Sequence, residues 1–183
     1  MHDHGFVVRT ASGPGDHEAV YRGRHAVYVD EMGAMMPRPD GRIRDRFDAR
    51  PNTLNLVVDH GGVLVGGARF VADDGTGTTA DQYFDFDPHL PEGALAGAGS
   101  MLWMLPVGRG IKGLITEMMS QGLGWCLDQG LTHVLATVNP PVAARFARVG
   151  YRPIGEPFLH GPDKLPVQPM VLETGAALRK RAA

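Results

Sequence analysis

The chain has 183 residues, 43% hydrophobic and 21% charged, with a formal net charge of −2. That length supports one sizeable core and is short for two, and the balance is that of an ordinary globular chain. The near-neutral charge excludes a general electrostatic attraction to nucleic acid, and no apolar run is long enough to suggest a membrane span. One cysteine, Cys126, builds no disulfide frame; it reads as a small buried hydrophobe, and the cytoplasm as the expected compartment. The Arg179-Lys180-Arg181 run reads as a solvated tail, residues 176–183, behind a core of residues 5–175 within a single domain, 1–183.

In chain order, Phe6-Val7-Val8 predicts a first strand. Ser12-Gly13-Pro14-Gly15 is turn chemistry, and Asp16 is placed to cap a helix over residues 17–32. Three- and four-residue spacings put Arg24, Tyr28 and Glu31 on one side of that helix. A loop over residues 33–52 follows, carrying Asp45 and Asp48. Residues 54–59 and 63–70 flank His60-Gly61-Gly62 and predict a hairpin. Residues 73–99 read as a long polar loop with a solvated acidic and aromatic run at 81–87, and residues 100–107 as an apolar strand. An amphipathic helix is expected over 111–129, with Ile111, Leu114, Ile115, Met118, Met119, Leu123 and Cys126 inward. A buried strand over 133–138, a short helix over 141–149 capped by Asn139, and closing strands over 151–154 and 167–173 complete a mixed α/β order.

The glycine turn between strand and helix is the first chemical signal. Gly108, Gly110 and Gly113 let backbone N–H groups and a helix N-terminus approach a phosphate, with Arg109 and Lys112 as charge partners. An ion-pair cluster of Arg24, Asp45 and Asp48 could instead be structural. Trp103, Met101 and Met104 suit a core at least as well as an acyl pocket, whereas Met35-Met36 in a loop suits a lipid-like substrate. His2, His4, His17 and His25 lack ligand spacing and read as surface histidines, so no metal is expected. Glu31, Asp45 and Asp85 are the candidates for a general base.

The run Val107-Gly108-Arg109-Gly110-Ile111-Lys112-Gly113, Asn139 after the next strand, and Ala144 through Tyr151 together resemble the GCN5-related N-acyltransferase superfamily. Arg24, Val27-Tyr28, Asp45-Arg46-Phe47-Asp48 and Gly67-Ala68-Arg69-Phe70 narrow the resemblance to the autoinducer (acyl-homoserine lactone) synthases and the long-chain N-acyl amino acid synthases. It implies a mixed central sheet flanked by helices. It also implies a turn, Val107 to Gly113 with Asn139, that holds acyl-coenzyme A or the phosphopantetheine of an acyl carrier protein. Arg24, Tyr28, Asp45, Asp48, Arg69 and Trp103 would then shape the side that takes a small-molecule amine. The departures are specific. Ile43 stands where autoinducer synthases carry an acid, the strand Ser100 to Leu105 lacks their Glu and Arg, and Phe146 replaces a proton-donating tyrosine. The implied activity is transfer of an acyl group to the amine of an amino acid or small biosynthetic intermediate. An autoinducer synthase and a non-catalytic module that binds acyl thioesters or acyl carrier protein are the alternatives.

Overall fold

A computed structural model describes residues 5–160 and 165–175. His2, His4 and the basic tail therefore lie outside the described residues. The first strand, β1 (Phe6–Thr10), pairs antiparallel with β2 (Thr53–His60), Phe6 opposite His60 and Thr10 opposite Leu56. β2 turns into β3 (Val63–Ala72) through Gly61 and Gly62, both at positive φ (60° and 86°). Two successive left-handed residues match the twist of a two-residue hairpin, and glycine adopts them without strain. The Asp59 side chain accepts the Gly62 N–H at 2.8 Å.

Helix α1 (Gly13–His25) starts four residues earlier than the turn chemistry implied. Ser12 is its N-cap residue, Pro14 sits in the first turn where no N–H is needed, and Asp16 reaches back to accept the Ser12 N–H at 2.7 Å. The helix widens into a π-helical turn over Ala26–Glu31. Its inner face, Val20, Gly23, Arg24 and Val27, packs on Val57 and Trp103.

The strand before the glycine turn, β4 (Ala96–Met104), begins four residues before the predicted one, because Ala96-Gly97-Ala98-Gly99 has weak strand propensity yet is paired. Met101 within it has φ 51°, a left-handed conformation uncommon for a non-glycine residue and absent from the sequence reading. A short 3₁₀ turn (Pro106–Gly108) leads to α2 (Leu114–Asp128), β5 (His133–Val138), α3 (Pro140–Val149), β6 (Arg152–Pro153), β7 (Phe158–His160) and β8 (Leu165–Glu173). In hydrogen-bonding order the strands run β1-β2-β3-β4-β5-β8-β6, with β7 on β8 off that path. The β4–β5 pair is parallel and the α2 segment is its crossover; β5–β8 and β6–β8 are antiparallel. The result is the expected mixed sheet with helices.

Two compact units make up the chain: Met1–Arg69 with Met101–Gly122, and Phe70–Ser100 with Leu123–Ala183. The core of the first is built on Val20, Val27, Val57 and Trp103. That of the second is built on Ala80, Phe86, Ala98, Leu135, Ile154 and Val171. Phe86 is buried, so the 81–87 run is a folded loop anchored by an aromatic, with its aspartates, Gln82 and Tyr83 exposed. On α2 the buried side is Leu114, Met118, Leu123 and Cys126, while Ile115 is exposed. Burial pushes the Cys126 thiol up to about 12, so it stays protonated and is no nucleophile.

Trp103 belongs to the core of the first unit, not to an open pocket wall. A Cβ at Gly23 would collide with its indole ring, and one at Gly67 would lie 2.9 Å from its Nε1. The Gly23→Ala substitution therefore pits about 1 kcal/mol of gained helix propensity against overpacking of about 1–3 kcal/mol or more. Because the ring is sealed among Val20, Val27 and Val57, it has nowhere to move and overpacking wins. Urea unfolding should show a lower midpoint for Gly23→Ala; a raised midpoint would contradict this packing.

Candidate functional site

Four charged residues separated by up to 45 positions meet in the first unit. Arg24 comes from α1, Arg69 from β3, and Asp45 and Asp48 from the loop before β2. Arg24 donates from Nη1 to Asp48 Oδ1 at 2.8 Å and from Nη2 to Asn55 Oδ1 at 2.8 Å. Arg69 forks onto Asp45, Nη1 to Oδ1 at 2.7 Å and Nη2 to Oδ2 at 2.9 Å, and also lies 3.0 Å from Asp48 Oδ1. The loop is locked from within. Asp48 Oδ2 accepts the Asp45 N–H at 3.0 Å, and Asp45 Oδ1 accepts the Phe47 N–H at 2.8 Å. Phe47 is fully buried, with the guanidinium carbons of Arg46, Arg50 and Arg69 4.8, 4.4 and 5.7 Å from its ring centre.

Exposure divides the labour in this cluster. The side chains of Arg24, Asp48 and Arg69 are 1%, 3% and 1% exposed, that of Asp45 33%. Burial opposes charge on Asp48, but the two facing guanidiniums outweigh it and hold its carboxyl below the ordinary range. Burial likewise pulls Arg24 down, and Asp48 opposes that pull. Burial also works against Arg69, yet Asp45 and Asp48 raise it overall. Asp48 is thus a sealed anion between two cations, while Asp45 is the one member that meets solvent. Asn55 completes the arrangement and escaped the sequence reading; a lone asparagine inside the apolar run Leu54 to Val58 was its signal, since a buried amide needs partners.

Tyr28 is partly buried and donates its hydroxyl to the Leu102 carbonyl at 2.5 Å, next to the left-handed Met101; burial pushes it up to about 12. The sequence proposed Glu31 as a base, yet both its oxygens accept from Arg109, at 2.6 Å each. That pairing lowers its basicity, the wrong direction for a proton acceptor at neutral pH. Asp85 lies in the second unit, exposed, with Oδ1 3.3 Å from the Asp87 N–H.

In the glycine turn the three glycines differ. Gly108 is buried and a Cβ there would strike Met104 Sδ, so it is a packing glycine. Gly110 and Gly113 have φ of 79° and 86°, and no atom lies within 4 Å of where a Cβ would be. They open the backbone to whatever docks before α2. Val107 and Lys112 are exposed, and Lys112 makes no ion pair among the described residues. In the second unit Asn139 is the N-cap residue of α3 but makes no side-chain capping bond. Phe146 packs edge-on against the buried Tyr151, ring centres 5.2 Å apart.

His17 and His25 are partly buried, not surface residues; His25 Nδ1 is 3.2 Å from Asp30. Among the described residues no three His, Cys, Asp or Glu are grouped to hold a metal, and no helix is long and apolar enough to cross a membrane.

The strand order and glycine turn define a GCN5-related acyltransferase fold. By fold the chain matches FeeM, an N-acyl amino acid synthase from uncultured soil microbes, with a TM-score of 0.80 at 17% identity over 94% of this chain and 92% of that one. It also matches BjaI, a coenzyme A-dependent acyl-homoserine lactone synthase, at 0.71 and 23% over 95% and 87%. In sequence it is 28% identical over 150 residues to an isovaleryl-homoserine lactone synthase of Bradyrhizobium diazoefficiens, covering 78% of this chain and 66% of that protein. The family described as N-acyl amino acid synthase FeeM matches residues 19–173, and the chain belongs to that family.

Breaking a buried ion pair leaves its partner charged and alone, at about 3–5 kcal/mol. Asp48→Asn should therefore cost on that order in urea unfolding, and Asp45→Asn clearly less, because water reaches Asp45. Equal losses for the two variants would contradict the division between sealed and open carboxylates.

Proposed function

We propose that the chain transfers an acyl group from a coenzyme A thioester to the primary amine of an amino acid or small biosynthetic intermediate, forming an amide. The observation that carries this reading is the family match over residues 19–173, which spans both the Arg/Asp cluster and the glycine turn. Residues 5–175 are taken as one acyltransferase domain, acting in the cytoplasm. The donor's phosphate end would lie on the turn of Gly110 to Gly113, with Lys112 as the cation that makes no ion pair among the described residues and Val107 as a further candidate in the turn.

On the acceptor side, Asp45 is the group open to an ammonium. Its Oδ1 accepts from both Arg69 and the Phe47 N–H and its Oδ2 from Arg69, and a third of the side chain remains exposed. Arg24, Asp48 and Arg69 act as positioning residues that hold Asp45 in place. A free α-amine has a pKa near ~8, so a useful fraction is neutral at pH 7 without a strong base. Its lone pair adds to the thioester carbonyl, the C–S bond breaks, and the amine's proton passes to solvent. A thiolate of pKa near ~8.5 leaves without needing the phenol that Phe146 lacks. Glu31 is removed from the candidates for base. Tied to Arg109, it lies beside the glycine turn taken here for the donor's phosphate.

Ile43 bears on the choice between linear amide and lactone chemistry. It is buried, and its N–H donates to the Tyr21 carbonyl at 3.0 Å. An aliphatic side chain here supplies none of the negative charge that the autoinducer synthases carry at this place, which favours an amino acid acceptor over S-adenosylmethionine. Mass spectrometry of products from acyl-coenzyme A thioesters of graded length, with pooled amino acids and S-adenosylmethionine as acceptors, decides among the readings. A single linear amide is expected. A lactone would instead support an autoinducer synthase, and bound thioester with no product a binding module. Turnover with acyl carrier protein alone would change the carrier and keep the reaction.

A further inference from the structure

Arg109 is a committed cation. Its Nε–H donates to the Met104 carbonyl at 2.9 Å, and its two terminal nitrogens fork onto Glu31 at 2.6 Å each. The partners are 78 residues apart in sequence, one ending the π-helical turn Ala26–Glu31 and the other inside the glycine turn. Their side chains are 42% and 44% exposed. A forked guanidinium presents the same two-donor edge to a carboxylate and to a phosphate, so the Glu31 carboxylate has the shape and charge sign of the ligand expected there.

Backbone geometry makes the carboxylate removable. After Glu31 the chain is held by its own hydrogen bonds, Met32 N–H to the Val27 carbonyl at 3.0 Å and Ala34 N–H to the Tyr28 carbonyl at 2.8 Å. Glu31 can leave Arg109 by rotating its side chain alone. Meanwhile the Met104 carbonyl retains Arg109 through Nε, so the guanidinium stays aimed when Glu31 departs. An ion pair this exposed contributes little in water, and a phosphate brings more negative charge than a carboxylate.

We infer that Glu31 is an internal competitor for the donor's phosphate on Arg109, and so sets the affinity of the chain for its thioester donor. The inference rests on the donor reading above. Glu31 neither touches the acyl group nor moves a proton; it occupies a place that the ligand must take.

Calorimetric titration with coenzyme A as the probe tests it in four forms of the full chain: unaltered, Glu31→Gln, Arg109→Ala and the double variant. Glu31→Gln should bind coenzyme A about two- to fivefold more tightly, the range an exposed ion pair permits. The gain should shrink as salt is raised and disappear when Arg109→Ala is also present. Unchanged or weaker binding by Glu31→Gln, with the unaltered chain binding normally, would overturn the inference and leave the donor reading intact. An equal gain with and without Arg109 would also overturn it, since the effect would then be general charge. No binding by any form would overturn both.

Discussion

A carboxylate buried between two guanidiniums constrains the first unit more than any other contact. Asp48 reaches Arg24 on α1 and Arg69 on β3 while also accepting the Asp45 N–H, so helix, strand and loop are fixed by one side chain. None of the three sealed members, Arg24, Asp48 and Arg69, tolerates isolation, because a lone charge in that interior would be strongly penalised. The geometry is therefore nearly all-or-none. Its product is the placement of Asp45, forked onto Arg69 on one side and open on the other. A structural ion-pair cluster and an acceptor site are commonly set against each other; here the buried part builds, and the exposed part is the one proposed to bind.

The glycine turn follows a similar economy. Gly108 is spent on packing against Met104, whereas Gly110 and Gly113 supply open backbone. Arg109 is anchored through Nε and neutralised through its fork, whereas Lys112 makes no ion pair among the described residues. Carboxylates that looked interchangeable in the sequence thus have distinct tasks. Asp48 is structural, Asp45 faces solvent, and Glu31 is bound to an arginine. The missing acid at Ile43 and the apolar β4 fit a family member that differs from the autoinducer synthases on its acceptor side.

Much of this was legible in the sequence, for physical reasons that can be named. The Gly61-Gly62 hairpin, β5 and α3 were visible because turn chemistry and apolar runs are local. The membership of Arg24, Asp45, Asp48 and Arg69 in one set was legible only through family resemblance. Their actual pairing was not, since four charges permit several neutral arrangements and spacing selects none. The Glu31–Arg109 pair was hidden by its sequence separation; each residue had been given a separate job. Trp103 was ambiguous because a large aromatic fits a core and an acyl pocket alike, until Gly23 and Gly67 were seen pressed against it. The early start of β4 was masked by alternating Ala and Gly, and the three-residue β7 is too short to leave a pattern.

The central claim is that the sealed members of the cluster hold the fold while Asp45 engages the amine. Steady-state kinetics of Asp45→Asn against the acceptor identified by product analysis test it most directly. The account predicts a raised KM for the acceptor, an unchanged KM for coenzyme A thioester, and a melting temperature that falls less than that of Asp48→Asn. An acceptor KM that stays put, or a loss shared equally by both substrates and accompanied by a collapse in melting temperature, would contradict it.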